Sequence, residues 1–290
     1  MLVTLLGTGC PQCHPARLGP ASLVRAGTLS VLIDCGSGVT QRLVAAGSSG
    51  AVLDAVLLTH LHSDHVVDLY QLIVSSWHQG RDRRQRIFGP AGTRAFADGL
   101  MEVWRSEREA RIQYEARPSA AAFDLEVVEF EEGTVLDEAG VRISAFTVDH
   151  GPFRPAFGFL FETADCRVAF SGDTTVCDNL VRWAQGVDLL VHECFIHREM
   201  VAQHVMRSEE GLRNIAAYHT LSSEVGKVAS RAGARMLALH HFVPLAFDRD
   251  ALLDEVRADY AGPTIIGEDL LSIDPVRRAV AFENLRLGLG

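Results

Sequence analysis

The chain has 290 residues, 48% of them apolar and 22% charged, a composition that supplies a sizeable core and excludes a disordered or low-complexity protein. With 27 basic and 37 acidic residues its net charge is -10, which excludes a global positive field able to draw polyanions to the surface. Its apolar runs fall short of the roughly 18 residues that a membrane span requires.

Residues 2–6 read as a first strand. The segment from Met1 has no basic start and breaks at Gly7-Thr8-Gly9, so it is not a signal peptide and the expected location is cytoplasmic. Cys10-Pro11-Gln12-Cys13-His14 looks like half of a zinc ribbon, but no second Cys-x-x-Cys follows to complete it. The six cysteines lack the density of a disulfide scaffold and read as reduced thiols. Strands are expected at 21–25 and 29–34, the second ending in Asp34-Cys35-Gly36-Ser37-Gly38, and a helix at 38–47.

The next strand, 54–59, runs into His60-Leu61-His62-Ser63-Asp64-His65, where four of six residues can bind a metal. His60 and His62 point the same way if the extended backbone continues, because strand side chains alternate with period two. Asp64 and His65 lie beyond, where a turn can swing them toward a second ion. Imidazole and carboxylate donors together suit zinc or manganese, whereas a purely structural zinc site more often uses thiolates.

A helix at 66–79 leads to the basic run Arg81-Asp82-Arg83-Arg84-Gln85-Arg86, read as a solvated loop, with a substrate-contacting strip as the alternative. A strand at 86–88 precedes Phe88-Gly89-Pro90-Ala91-Gly92 and a helix at 92–104. Residues 105–124 suit an exposed loop or short helix. Strands follow at 125–130, 141–148, 156–162, 166–171, 187–191 and 235–240, with helices at 176–184, 208–216, 221–232 and 248–258. Residues 1–290 show no repeat and no linker, so they read as a single domain. Two sheets packed face to face, with helices on their outer faces, bury this pattern better than one doubly wound sheet.

The His-x-His-x-Asp-His motif after a buried strand resembles the signature of the metallo-β-lactamase superfamily. Further matches are His150 after strand 141–148, Asp173 in Ser171-Gly172-Asp173-Thr174, and the histidines of His240-His241-Phe242. The resemblance implies an α/β fold, a four-layer αββα sandwich, holding two Zn2+ ions, with Mn2+ or Fe as alternatives. His60, His62 and His150 would hold one ion and Asp64, His65 and His241 the other, with Asp173 joining them across a metal-bridging hydroxide. His241 is favoured over His240 because the ligand histidine of the ribonuclease Z group directly precedes a phenylalanine. Asp34 would orient ligand histidines, the alternative being a helix cap.

Two segments narrow the branch. His192-Glu193-Cys194-Phe195 resembles a ribonuclease Z motif of His-Glu-Ala-Thr type, and Tyr218-His219-Thr220-Leu221-Ser222 resembles its later His-Ser/Thr motif. The implied catalytic residues are Asp64, His219 as general acid and Glu193 as its orienting partner; otherwise His219 merely begins a helix and Glu193 is exposed. Pro15-Ala16-Arg17-Leu18-Gly19-Pro20 lacks the Arg-Asn pair that helps bind tRNA in that family, and no Gly- and Lys-rich arm is evident.

These departures and the negative charge favour hydrolysis of a small phosphodiester or sulfate ester, phosphodiesterase- or arylsulfatase-like, with Arg17 or Arg154 neutralising ester oxygens. The alternative is a tRNA 3′-processing endoribonuclease that borrows a partner subunit's surface. A lactonase-like hydrolase ranks lower, and a non-catalytic metal-binding or sensing module is the reading from another class. The resemblance also implies a homodimer. Phe153 and Phe157 are the aromatics expected to border the site, with Trp77 and Phe195 as further pocket candidates or plain core.

Overall fold

The computed structural model describes residues 1–200 and 208–289. Its strands are β1 (Leu2–Gly7), β2 (Ala21–Ala26), β3 (Leu29–Ile33), β4 (Ala55–Leu57), β5 (Gln85–Gly89), β6 (Leu125–Glu129), β7 (Gly133–Glu138), β8 (Val141–Thr147), β9 (Phe157–Glu162), β10 (Arg167–Phe170), β11 (Leu189–Phe195), β12 (Leu237–Val243), β13 (Thr264–Ile266), β14 (Ser272–Asp274), β15 (Ala279–Phe282) and β16 (Leu285–Gly288). The helices are α1 (Val39–Ala45), α2 (Ser63–Val66), α3 (Leu69–His78), α4 (Thr93–Val103), α5 (Arg105–Glu115), α6 (Asp178–Trp183), α7 (Glu209–Ala216), α8 (Ser222–Ala232) and α9 (Arg249–Arg257).

One sheet runs β16-β15-β14-β1-β2-β3-β4-β5-β6 and the other β13-β12-β11-β10-β9-β8-β7. Strand alternation sorts the apolar residues into layers. Val24, Val31 and Leu57 of the first sheet meet Ile143, Phe159, Phe170 and Val191 of the second in the core between them. Their neighbours Leu23, Leu32 and Val56 face outward under Leu43, Leu72 and Ala97 of α1, α3 and α4. On the far side Leu190 and Leu237 pack beneath Leu180, Val225, Val228 and Val256 of α6, α8 and α9. The architecture is the expected αββα sandwich of the metallo-β-lactamase fold.

Strands β3, β4 and β5 run parallel to one another, as do β10, β11 and β12. The carboxyl ends of parallel strands in α/β folds open onto the crevice where ligands bind. Asp34, His60 to His65, Asp173 and His241 all lie at or just beyond such ends.

Several expectations need correction. The helix expected at 66–79 breaks after α2, where the Asp68 carboxylate accepts the Thr40 amide (2.7 Å). Residues 105–115 form α5, which contributes no buried side chain and so agrees with the exposed helix that is one of the two readings expected there. The Arg81–Arg86 run is a solvated loop only in part: Asp82, Arg83 and Arg84 are exposed, whereas Arg81 is buried and donates to the carbonyls of Gly50, Ala51 and Leu53. Arg83, Arg84 and Arg86 pair with Asp54, Asp124 and Glu138. Arg81 to Arg84 precede β5, opposite the strand ends that carry the histidines, so they are no strip beside that site. Strands β13 to β16 span only three or four residues and β7 is largely polar, so alternation does not reveal them. Among the described residues no helix is long and apolar enough to cross a membrane.

Candidate metal centre

Asp34 follows β3 with φ 58°, a left-handed conformation that Asp and Asn tolerate better than most residues. That turn aims its carboxylate at the neighbouring strand end. The Thr59 amide donates to Oδ1 (2.8 Å) and the Thr59 hydroxyl to Oδ2 (2.9 Å). His65 Nδ1 lies 2.8 Å from Asp34 Oδ2, and His60 Nδ1 lies 3.0 Å from Thr59 Oγ1. A hydroxyl has one hydrogen. Thr59 donates it to Asp34, so its oxygen accepts from His60 Nδ1–H. His65 Nδ1–H is likewise held by Asp34, so in each neutral ring Nε2 is the lone-pair nitrogen. His150 reaches the same state through Nδ1–H donated to the Tyr218 carbonyl (2.8 Å), which leaves its Nε2 facing His62 Nδ1 at 3.3 Å.

These nitrogens converge. His60, His62, His150 and Asp173 offer donor atoms within 4.8 Å of one another, as do Asp64, His65 and His241. Asp173 spans both groups, with Oδ2 3.2 Å from His241 Nε2, 3.4 Å from His65 Nε2 and 3.9 Å from the Nε2 atoms of His60 and His150. Yet Nε2 of His60, His65 and His241 is buried without a hydrogen-bond partner among the described residues. Buried polar groups are normally paired, so three converging orphan nitrogens around two carboxylates fit a divalent metal centre.

Charge points the same way. Burial, with neighbouring histidines, holds His60 well below the usual imidazole range and His62 near 4, so these rings are neutral with lone pairs available. Burial also opposes charge on His65 and His241, but Asp173 and the other carboxylates outweigh it, raising His65 well above its ordinary value and His241 to about 9. Asp173 is held well below the carboxylate range despite burial, by His241 and His65. Without a metal the second group therefore relies on protons for its positive charge, and metal binding would displace them.

His240, the competitor of His241, is directed elsewhere. It pairs across from Glu193, whereas Cys194 pairs with Phe242, so His241 is the extra residue of a bulge and takes φ 49°. Among the described residues both His240 ring nitrogens lack partners, and burial lowers its pKa to about 3.

Glu193 is fully buried rather than exposed. Its two carboxylate oxygens each lie 2.9 Å from His219 Nδ1, and Oε1 also accepts the Thr174 amide (2.7 Å). The His219 ring stacks over Phe195 and sits 5.2 Å from His150 and 5.8 Å from His241 between centroids. Burial disfavours its charged form, but Glu193 outweighs this and raises the pKa. Hence His219 carries a proton more readily than a free imidazole does.

The centre opens into a cleft of about 300 Å3 with Asp64, Asp173, His219 and His241 at its base and Phe153, Ile215, Tyr218 and Val243 on its walls. Phe153 borders the site as expected, whereas Phe157, Trp77 and Phe195 are core residues. Arg17 does not face the cleft. Its buried guanidinium donates to Thr8 Oγ1, the Gly267 carbonyl and Glu268. Arg154 lines a neighbouring cavity beside His60 and His62 and pairs with Asp149. Cys13 and His14 join neither donor group. No local sequence pattern assigns a role to Thr59, although it directly precedes His60, or to Tyr218, which stands beside His219 in its motif.

This fold and this set of histidines and aspartates define a metal-dependent hydrolase. Residues 30–242 match the beta-lactamase superfamily domain. A ribonuclease Z from Mycobacterium marinum is 35% identical over 277 residues, covering 94% of this chain and 98% of that protein. A ribonuclease Z from Mycobacterium bovis is 38% identical over 245 residues, covering 83% and 86%. Among solved structures, the metallo-beta-lactamase fold protein YhfI from Bacillus subtilis aligns with TM-score 0.71 at 22% identity, covering 93% of this chain and 98% of that one. Human tRNase Z, short form, aligns with TM-score 0.68 at 23% identity, covering 94% and 99%. The chain belongs to the beta-lactamase superfamily and, within it, to the ribonuclease Z family.

Proposed function

We propose that the protein is a two-zinc endoribonuclease that cleaves precursor tRNA on the 3′ side. His60, His62 and His150 would hold one ion and Asp64, His65 and His241 the other, with Asp173 placed between the two groups. Such ions, when bound, supply positive charge that polarises the scissile phosphoryl group and makes water acidic enough to attack near neutral pH. Asp34 and Thr59 hold Nδ1–H of His65 and His60, so Nε2 is the nitrogen of each neutral ring that would face an ion. Glu193 fixes Nδ1–H of His219, so the other ring nitrogen gives its proton to the departing oxygen, which is otherwise a poor leaving group.

The observation that carries this reading is the buried Glu193–His219 pair beside the donor cluster, in a chain that aligns almost end to end with a ribonuclease Z. A sensor has no leaving group to protonate, so the pair also favours an enzyme. The preference for a small phosphodiester or sulfate ester rested on net charge and a missing arm, and it finds no support among these relatives. Net charge is a sum over the whole surface, whereas a polyanion's phosphates meet one local field.

The test compares a 3′-extended precursor tRNA with bis-nitrophenyl phosphate and nitrophenyl sulfate, using one zinc-loaded preparation. Site-specific cleavage of the precursor is expected. Turnover confined to the small esters would overturn the proposal.

A further inference from the structure

The loop after β8 presents an aromatic ring where folding alone gives no reason for one. Phe153 is 39% exposed, yet its backbone is tightly held. Its amide donates to the His150 carbonyl (3.2 Å), Arg154 Nε donates to the Gly151 carbonyl (3.0 Å), and an Arg154 amino group donates to Asp149 (3.1 Å). Gly151 takes φ 59°, and a Cβ there would stand 2.8 Å from Cβ of Tyr218, so the loop and Tyr218 are closely fitted. The Phe153 ring meets His62 edge-on at 4.1 Å between centroids and Tyr218 at 5.3 Å, with 82° between the latter planes. Tyr218 in turn lies 4.8 Å from His219.

Phe153 and His62 are shared by two cavities. One is the cleft of about 300 Å3 that contains His219, and the other is a space of about 180 Å3 bounded by Pro90, Ala91 and Arg154. Phe153 thus forms a partition whose edge touches a proposed ligand. A phosphodiester seated on the donor cluster carries a nucleoside on each side, and the two cavities that share this ring offer each a separate place. Every nucleobase has a π face, and stacking on an exposed aromatic is the sequence-tolerant way to hold one.

Resting on the ribonuclease reading above, we propose that Phe153, backed by Tyr218, is a nucleobase-stacking wedge: it parts the nucleosides flanking the scissile phosphate and seats the one bearing the leaving oxygen in the His219 cleft. It is a specificity-determining residue, because it acts on the base while the donor cluster acts on the phosphate. A substrate with no base at that position gains nothing from the ring.

The test is a double-mutant cycle on precursor tRNA cleavage, pairing Phe153→Leu with a substrate abasic at the nucleotide carrying the leaving oxygen. Leu keeps an apolar cover over His62 and removes only the π face; zinc content is measured in parallel and should not change. Each change alone should lower kcat/KM by about 5- to 100-fold, chiefly through KM, and the two together should cost no more than either. Phe153→Trp should retain activity. If the wild-type protein cuts the intact precursor but the two losses multiply, or if Phe153→Leu cuts as fast as wild type, the wedge is refuted while the ribonuclease reading stands. If the wild type leaves the precursor uncut, the reading fails and the wedge with it.

Discussion

Asp34→Asn should weaken both halves of the proposed metal centre at once. Asn tolerates the left-handed conformation at this position, so the backbone turn survives. The amide oxygen can still accept from the Thr59 N–H, but the amide NH2 must then face the Thr59 hydroxyl or His65 Nδ1, where the carboxylate had accepted hydrogens. Against His65 the ring reverses its tautomer and places a hydrogen on Nε2, the atom 3.4 Å from Asp173. A protonated nitrogen cannot bind metal. Against Thr59 the hydroxyl turns and His60 loses its fixed orientation. Removing such an outer partner typically costs 10- to 100-fold in metal affinity, or roughly 1.4–2.8 kcal/mol. Thr59→Val removes the branch to His60 and the hydroxyl donor to Asp34 but leaves the Thr59 amide and His65 on that carboxylate, so it should weaken the ion at His60 more than the other. Competition with a chromogenic chelator, with zinc content measured after dialysis, reads both variants; urea unfolding of the metal-free proteins separates ligand orientation from folding. Two ions bound by Asp34→Asn with wild-type affinity would refute the reasoning.

Glu193→Gln should move the basic limb of kcat/KM to lower pH: the carboxylate raises the His219 pKa against burial, so without it burial prevails and the general acid deprotonates earlier. His219→Ala should cost about 100- to 10,000-fold on precursor tRNA but far less on bis-nitrophenyl phosphate, whose leaving group needs no proton; equal losses would remove His219 from that role. Asp269 accepts from the amides of Thr8 and Leu18, the Thr8 hydroxyl and Arg42. Asp269→Ala should therefore destabilise the fold by about 3–5 kcal/mol, measured by urea unfolding. Arg84→Ala breaks an exposed pair with Asp124, away from the histidines, and should change stability by less than about 1 kcal/mol and cleavage by less than twofold.

The centre was unusually legible because its residues follow strand ends, where a short apolar run and a polar cluster stand side by side in the sequence. Asp34, His60 and Asp173 all announce themselves this way. His241 did not, since period-two alternation cannot choose between adjacent histidines, and a bulge opposite Glu193 and Cys194 makes the choice. Asp34 was ambiguous between orienting and capping. The structure shows its carboxylate on Thr59 and His65, while α1 starts from Gly38 without a side-chain cap. Arg17 misled because its partners Gly267 and Glu268 lie some 250 residues away, a contact no local pattern reveals. The preference for a small ester finds no support among the relatives for a related reason: composition reports the whole surface, whereas recognition depends on one face of it.

The central claim is tested most directly by stripping the protein with a chelator and returning zinc in measured equivalents while following cleavage of a 3′-extended precursor tRNA. The expected result is negligible cleavage when stripped, site-specific cleavage that rises to a maximum at two zinc ions per chain, and none for Asp173→Ala under the same conditions. Cleavage that survives complete metal removal would contradict the account, as would a protein that binds two zinc ions and leaves the precursor intact.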